Sequence, residues 1–221
     1  MISDFIMCII QDLVNAPIYI NCLLKTYVQV PESNGYSIFR NERVISLGAS
    51  IQNNIDAVYD KAGYITLFKL SKSTNDVISC KFSGCIMARF KYDDEYYAAH
   101  IFTSQEVSID TKYIWKELCC DGIDSGRITE LIMFKPGFGI KANNVIGVIT
   151  SSGDCYTIVV NNNPSTNEVS LYKIVRHNHY GSKPGIYNVI LKGDYKDDWN
   201  RFWETYNPTT VFQESYNCCH I

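Results

Sequence analysis

Two apolar runs flank a short acidic break midway along the chain. Ile86-Met87-Ala88-Arg89-Phe90-Lys91-Tyr92 comes first, then Asp93-Asp94, then Glu95-Tyr96-Tyr97-Ala98-Ala99-His100-Ile101-Phe102. Apolar and aromatic residues around a two-residue polar break predict two antiparallel strands and a tight turn. With Asp93-Asp94 as the turn, residue 92 pairs with 95 and 87 with 100. Cys85 and His100 then share a face as diagonal neighbours roughly 7–8 Å apart. A register centred one residue earlier sets them directly opposite, about 5 Å apart. A three-residue loop sends them to opposite faces, because side chains alternate with period two. Ile86, Ala88, Phe90, Tyr92, Glu95, Tyr97, Ala99 and Ile101 make the expected core face. Cys85, Met87, Arg89, Lys91, Tyr96, Ala98, His100 and Phe102 make the more polar one, where a thiol and an imidazole would meet near solvent.

The rest of the chain is strand-rich. Ile2, Phe5, Ile6, Ile9, Ile10 and Leu13 recur at helical spacing, which predicts an amphipathic helix over 3–14. Residues 17–30 read as one or two strands, 43–47 and 64–70 as strands joined through Asn53-Asn54 and Gly63, and 76–82 as a strand leading to the Ser83-Gly84-Cys85 step. Ser108 or Asp110 is placed to cap a helix through Cys119, with Ile114, Trp115 and Leu118 on one side. Strands follow at 128–135, closed by Pro136-Gly137, at 144–150 and 155–161 around Ser151-Ser152-Gly153-Asp154, at 168–176 and at 187–192. Trp199, Phe202, Trp203 and Tyr206 suggest a helix over 194–206. The expected class is α+β, with strongly twisted antiparallel or mixed sheets, sandwich-like, and two or three flanking helices.

Composition narrows the function. The 221 residues fit one domain, taken as a single catalytic domain over 1–221, and 46% hydrophobic residues suffice for a core. A net charge of -3 argues against nucleic acid as the main partner. The N-terminal ten residues lack a basic region, and Asp4 and Asp12 bracket an apolar stretch too short to span a membrane. Nine cysteines, an odd number without a small-domain disulfide spacing or paired Cys-x-x-Cys, point to a reducing compartment.

A Cys–His pair on one face carries chemistry. An imidazole beside a thiol raises its thiolate fraction, and a thiolate is a strong nucleophile. Gly84 lets the backbone turn before Cys85, and amides at the Ser83-Gly84 turn are placed to stabilise an oxyanion. The weaker sites are read structurally. His177-x-His179 lacks a third metal ligand and reads as a solvated loop. Ser152-Gly153-Asp154-Cys155 reads as a hairpin turn before a buried Cys, Cys119-Cys120 as helix packing, and Asp93-Asp94-Glu95 as a solvated turn. The terminal Cys218-Cys219-His220-Ile221 superficially suggests prenylation, although His220 and a final Ile suit that signal poorly.

Phe82-Ser83-Gly84-Cys85, followed fifteen positions later by His100, resembles the Leu-Ser-Gly-Cys…His pattern of glutamine-deamidating bacterial toxins. These are the cytotoxic necrotizing factor catalytic domain and the Burkholderia lethal factor. Chemoreceptor glutamine deamidases are similar, with a Gly-Ser-Cys step. Several members place Thr six residues before the nucleophile, where this chain has Ser79. The match covers residues 79–102, and Phe82 stands where Leu is usual.

The resemblance implies a secreted effector without a recognisable signal peptide, acting in the host cytoplasm. It would hydrolyse a glutamine side-chain amide of a host protein without cofactor or metal. The implied residues are Cys85 as nucleophile, His100 as base, and Ser79 or a backbone carbonyl as its orienter. The implied targets are Rho-family GTPases or a translation-initiation helicase, with transamidation as a side activity and a monomer as the expected state. A Cys/His protease or acyltransferase, and a non-catalytic binding or immunity protein with an inert Cys85, are the alternatives.

Overall fold

The computed structural model of the chain describes residues 38–52, 55–103, 111–140, 145–163, 168–177 and 208–213. The helices expected at 3–14 and 194–206, the strands expected at 17–30 and 187–192, His179 and the terminal cysteines lie outside them.

Twelve strands and one helix are present among the described residues. The strands are β1 (Val44–Ser46), β2 (Gly48–Gln52), β3 (Ile55–Val58), β4 (Ile65–Lys69), β5 (Asp76–Cys80), β6 (Ile86–Tyr92), β7 (Glu95–Ile101), β8 (Ile128–Phe134), β9 (Val145–Ile149), β10 (Cys155–Asn163), β11 (Glu168–His177) and β12 (Thr209–Gln213). The helix, α1, spans Thr111–Asp124 between β7 and β8. One sheet has the order β1-β4-β7-β6-β8 and the other β12-β11-β10-β9-β5-β3-β2. Both are mixed: β1 runs parallel to β4, and β3 parallel to β5. The expected strand-rich α+β class is the observed one.

The β6–β7 hairpin forms in the expected register, with Tyr92 paired to Glu95 and Met87 to His100. Asp93 and Asp94 take φ of 47° and 67°. Those are the left-handed values that a two-residue hairpin turn requires, and Asp tolerates them better than most residues. The Arg127 guanidinium pairs with the Asp93 carboxylate, and the Asp93 amide donates to the Arg127 carbonyl at 3.0 Å, tying the turn to the approach of β8.

One expectation about this hairpin is corrected. The Met87/His100 face is not near solvent: Met87, Ala98 and His100 are fully buried and Arg89 nearly so. The second sheet covers this face, whereas Phe39 and α1 cover the other, where Phe90 meets Phe39 at 6.1 Å and Trp115 edge-on at 5.5 Å. A strand covered on both sides loses the polar face that a half-exposed strand keeps. Arg89 survives there because its guanidinium donates to the carbonyls of Thr150, at 2.8 Å, and Ser73.

Close approach of the sheets depends on Gly147 of β9. A methyl built there lies 2.6 Å from Pro136 Cγ, 2.8 Å from Met87 Sδ and 3.0 Å from Phe82 Cε2. Gly147→Ala should therefore overpack the interface and lower stability by about 1–3 kcal/mol. The check is urea unfolding, in which the midpoint should fall with an unchanged slope; an unchanged midpoint would show that the sheets have slack here.

Candidate active site

The candidate site lies where the sheets meet. Ser79 belongs to β5 of the larger sheet, and its antiparallel partner is Gly147. His100 belongs to β7 of the smaller sheet, paired with Met87 on one side and Thr66 on the other. Their side chains meet across the interface, with Ser79 Oγ 2.8 Å from His100 Nδ1. The Ser79 hydroxyl also lies 2.7 Å from the Val58 carbonyl oxygen of β3.

This chain of contacts assigns the protons. A serine hydroxyl has one proton, and a carbonyl oxygen can only accept. Ser79 therefore donates to Val58 and accepts from His100, so Nδ1 carries the imidazole proton. The lone pair of Nε2 is then free, and that atom is buried without a hydrogen-bond partner. The Phe82 ring stacks on the imidazole at 4.4 Å and 13°, fixing the ring plane. Burial, with Lys81 as the lesser cause, depresses the His100 pKa to about 3, so the ring is neutral near pH 7.

Cys85 sits immediately before β6, and extending the ladder past Ile86↔Ile101 places it on the face of Met87 and His100. It is 3% exposed, which corrects the expected position near solvent. Burial pushes its thiol pKa up, and hydrogen bonds from the amides of Thr103, Ser83 and Cys85 itself act against that shift. No hydrogen bond joins Cys85 to His100, whose Nε2 stays unpartnered. The resting pair is thus a neutral thiol and a neutral imidazole.

The turn before Cys85 is built differently from expectation. The left-handed residue is Lys81, with φ of 62°, and not Gly84. A methyl on Gly84 would meet only Thr103 Oγ1, at 3.7 Å. The tight glycine is Gly137, where a methyl would lie 2.8 Å from the Phe82 carbonyl oxygen. Pro136-Gly137 thus backs the Phe82–Cys85 step, and the Pro136 carbonyl is held by the Thr157 hydroxyl at 2.8 Å. Ser83 is exposed and Gly84 half-buried, so this step is the part of the site nearest solvent.

His177 is a further correction. It ends β11 and is 1% exposed, with Nε2 2.6 Å from Thr157 Oγ1, so it is no solvated loop residue. Burial lowers its pKa to about 3 as well. Cys155 follows the Gly153 turn and Cys119 lies in α1, both fully buried as expected. No group of three or more metal-ligating side chains occurs among the described residues, and no described helix is long and apolar enough to cross a membrane.

Two contributors were invisible to sequence reasoning. The Val58 carbonyl carries no side-chain signal. Thr103, whose hydroxyl donates to the Gly84 carbonyl at 2.6 Å, follows the strand without a motif. Phe82 was visible only as a substitution for Leu. No protein-family model matches the chain, and no curated protein matches it.

Two buried neutral histidines fix the acid response. In the unfolded chain each binds a proton near pH 6.5, whereas in the folded one each resists until about 3. Their contribution to stability is complete above about pH 6.5 and is lost as pH falls toward 3. Stability should drop by up to about 2.7 kcal/mol per pH unit within that window, two protons' worth. Urea midpoints from pH 7 to 4 check this. The slope between pH 6 and 5 should flatten in His100→Gln/His177→Gln, and an equal slope in the variant would contradict neutral burial.

Proposed function

We propose that the protein is a cysteine-dependent protein glutamine deamidase, acting as an effector on a host protein. The observation that carries this reading is the Ser79–His100 hydrogen bond. It supplies the hydroxyl orienter that the Ser-Gly-Cys…His resemblance assigns to the position six residues before the nucleophile. It also leaves Nε2 as a free base on the face shared with Cys85.

In the proposed reaction, His100 Nε2 takes the proton of Cys85 as sulfur attacks the glutamine amide carbon. The C–S bond forms and the carbonyl π pair moves to oxygen, where amides of the Ser83–Cys85 turn stabilise it. The oxyanion collapses, the C–N bond breaks, and the imidazolium gives its proton to departing ammonia. His100 then deprotonates a water that attacks the thioester. The C–S bond breaks, the proton returns to sulfur, and a glutamate side chain remains.

Mutual burial of thiol and imidazole suits this order of events. A neutral base and a neutral thiol cost less to hold in a dry interface than a resting ion pair, which would have to offset its own desolvation. Catalytic hydrogen bonds are often long in the substrate-free state and tighten when substrate binds. Ser83 is exposed and Gly84 half-buried, so a glutamine would approach Cys85 from this side. The target belongs to the Rho-family GTPase or translation-initiation helicase class by the same resemblance.

Incubation with purified candidates of both classes tests the reading by intact mass. Wild type should add the mass of one amide-to-acid conversion without clipping the chain, and Cys85→Ala should add nothing. Ser79→Ala should retain the fold and lose roughly tenfold to a hundredfold in rate, as for loss of a partner that orients a functional imidazole. Conversion by Cys85→Ala at the wild-type rate would remove the nucleophile from this scheme, and a cleaved or acylated product would favour a protease or acyltransferase.

A further inference from the structure

The Gly84–Cys85 peptide is held by one side chain. Thr103, two residues past the end of β7, donates its hydroxyl proton to the Gly84 carbonyl oxygen at 2.6 Å. Gly84 has no Cβ, a methyl there would meet only Thr103 Oγ1 at 3.7 Å, and its φ is not among the left-handed values. Sterics therefore leave this peptide free to rotate, because glycine is the residue where a peptide plane flips at least cost. In a planar trans peptide the carbonyl and the following N–H point in opposite directions. Fixing the Gly84 oxygen on Thr103 consequently fixes the Cys85 N–H away from Thr103. Burial raises the Cys85 thiol pKa, and this amide, with those of Thr103 and Ser83, acts against that shift.

The residue before Thr103 is anchored twice. The Phe102 carbonyl accepts the hydroxyl of Thr111, the first residue of α1. The Phe102 amide donates to the Tyr64 carbonyl at 3.3 Å, at the entry to β4. The Thr103 hydroxyl is therefore presented from a segment tied to the helix start and to the neighbouring strand.

We propose that Thr103 is a positioning residue of this centre, whose hydroxyl locks the Gly84–Cys85 peptide so that the Cys85 N–H faces the oxyanion formed when sulfur attacks an amide carbon. This rests on the reading of Cys85 as the nucleophile. Without the hydroxyl the peptide samples the flipped orientation, in which a carbonyl dipole opposes the developing negative charge. The defect then falls on the transition state and not on ground-state binding.

Thr103→Val removes the hydroxyl at nearly constant shape and keeps the Thr103 amide, and Thr103→Ser restores the hydroxyl. Ammonia release from the blocked dipeptide benzyloxycarbonyl-glutaminyl-glycine is measured alongside hydrogen exchange of the Ser83–Cys85 amides. Thr103→Val should lower kcat by about tenfold to a hundredfold at unchanged KM, with Thr103→Ser close to wild type. Exchange in the Ser83–Cys85 segment should be faster by about tenfold in Thr103→Val alone. Wild-type kcat and exchange in Thr103→Val would overturn the inference, as would a loss that Thr103→Ser fails to restore. If wild type leaves the dipeptide intact, exchange alone decides: faster exchange confined to Thr103→Val upholds the locked peptide, and unchanged exchange overturns it.

Discussion

A single hydrogen bond between facing sheets, from His100 Nδ1 to Ser79 Oγ, sets the character of the protein's interior. Both partners are fully buried, so neither can turn to water for compensation. A buried polar group left unpaired costs about 1–3 kcal/mol, so the sheets must dock in the one register that joins these residues. Val58 completes the requirement by accepting the hydroxyl proton, which fixes the direction of the whole relay. The same contact that specifies how the layers meet therefore also selects the imidazole tautomer.

Dry surroundings shape what the Cys85–His100 pair can do. Burial disfavours both the thiolate and the imidazolium, pushing the two pKa values apart. Charge separation at rest is suppressed, and proton transfer is coupled to formation of the C–S bond. The low-dielectric setting makes each amide around Cys85 a stronger partner for developing charge than it would be in water. The backing of the step by Gly137, and of Pro136 by Thr157, keeps those amides in place. His177, bonded to the same Thr157 and packed on Phe134 of the smaller sheet at 5.1 Å, extends this support to β11.

Local chemistry was legible in the sequence, and the meeting of layers was not. Asp93-Asp94 announced its turn, and side-chain period then determined that Cys85 and His100 share a face. Ile114, Trp115 and Leu118 announced α1, and Pro136-Gly137 ended β8 as expected. The polarity of Arg89, Lys91 and Tyr96 suggested a wet face, but only its turn end is accessible; Arg89 reaches carbonyls of the other sheet instead. β2 and β3 were read as a connection because Asn53-Asn54 masks two short strands around it, and β12 follows Pro208 without an alternating pattern. Ser79 was found only through its spacing from Cys85. The Val58 carbonyl and the Thr103 hydroxyl act through backbone atoms of distant segments, which no side-chain pattern encodes.

The protonation state of His100 bears most directly on whether this interface is poised for catalysis. Nitrogen-15 NMR of histidine-labelled protein at neutral pH, with the His100 resonances assigned by their loss in His100→Gln, distinguishes the two tautomers and the imidazolium. A proton on Nδ1 and a bare Nε2, switching or broadening in Ser79→Ala, is the expected spectrum. A proton on Nε2, or a doubly protonated ring in the wild-type protein, would leave no base for Cys85 and contradict the proposed chemistry at its root.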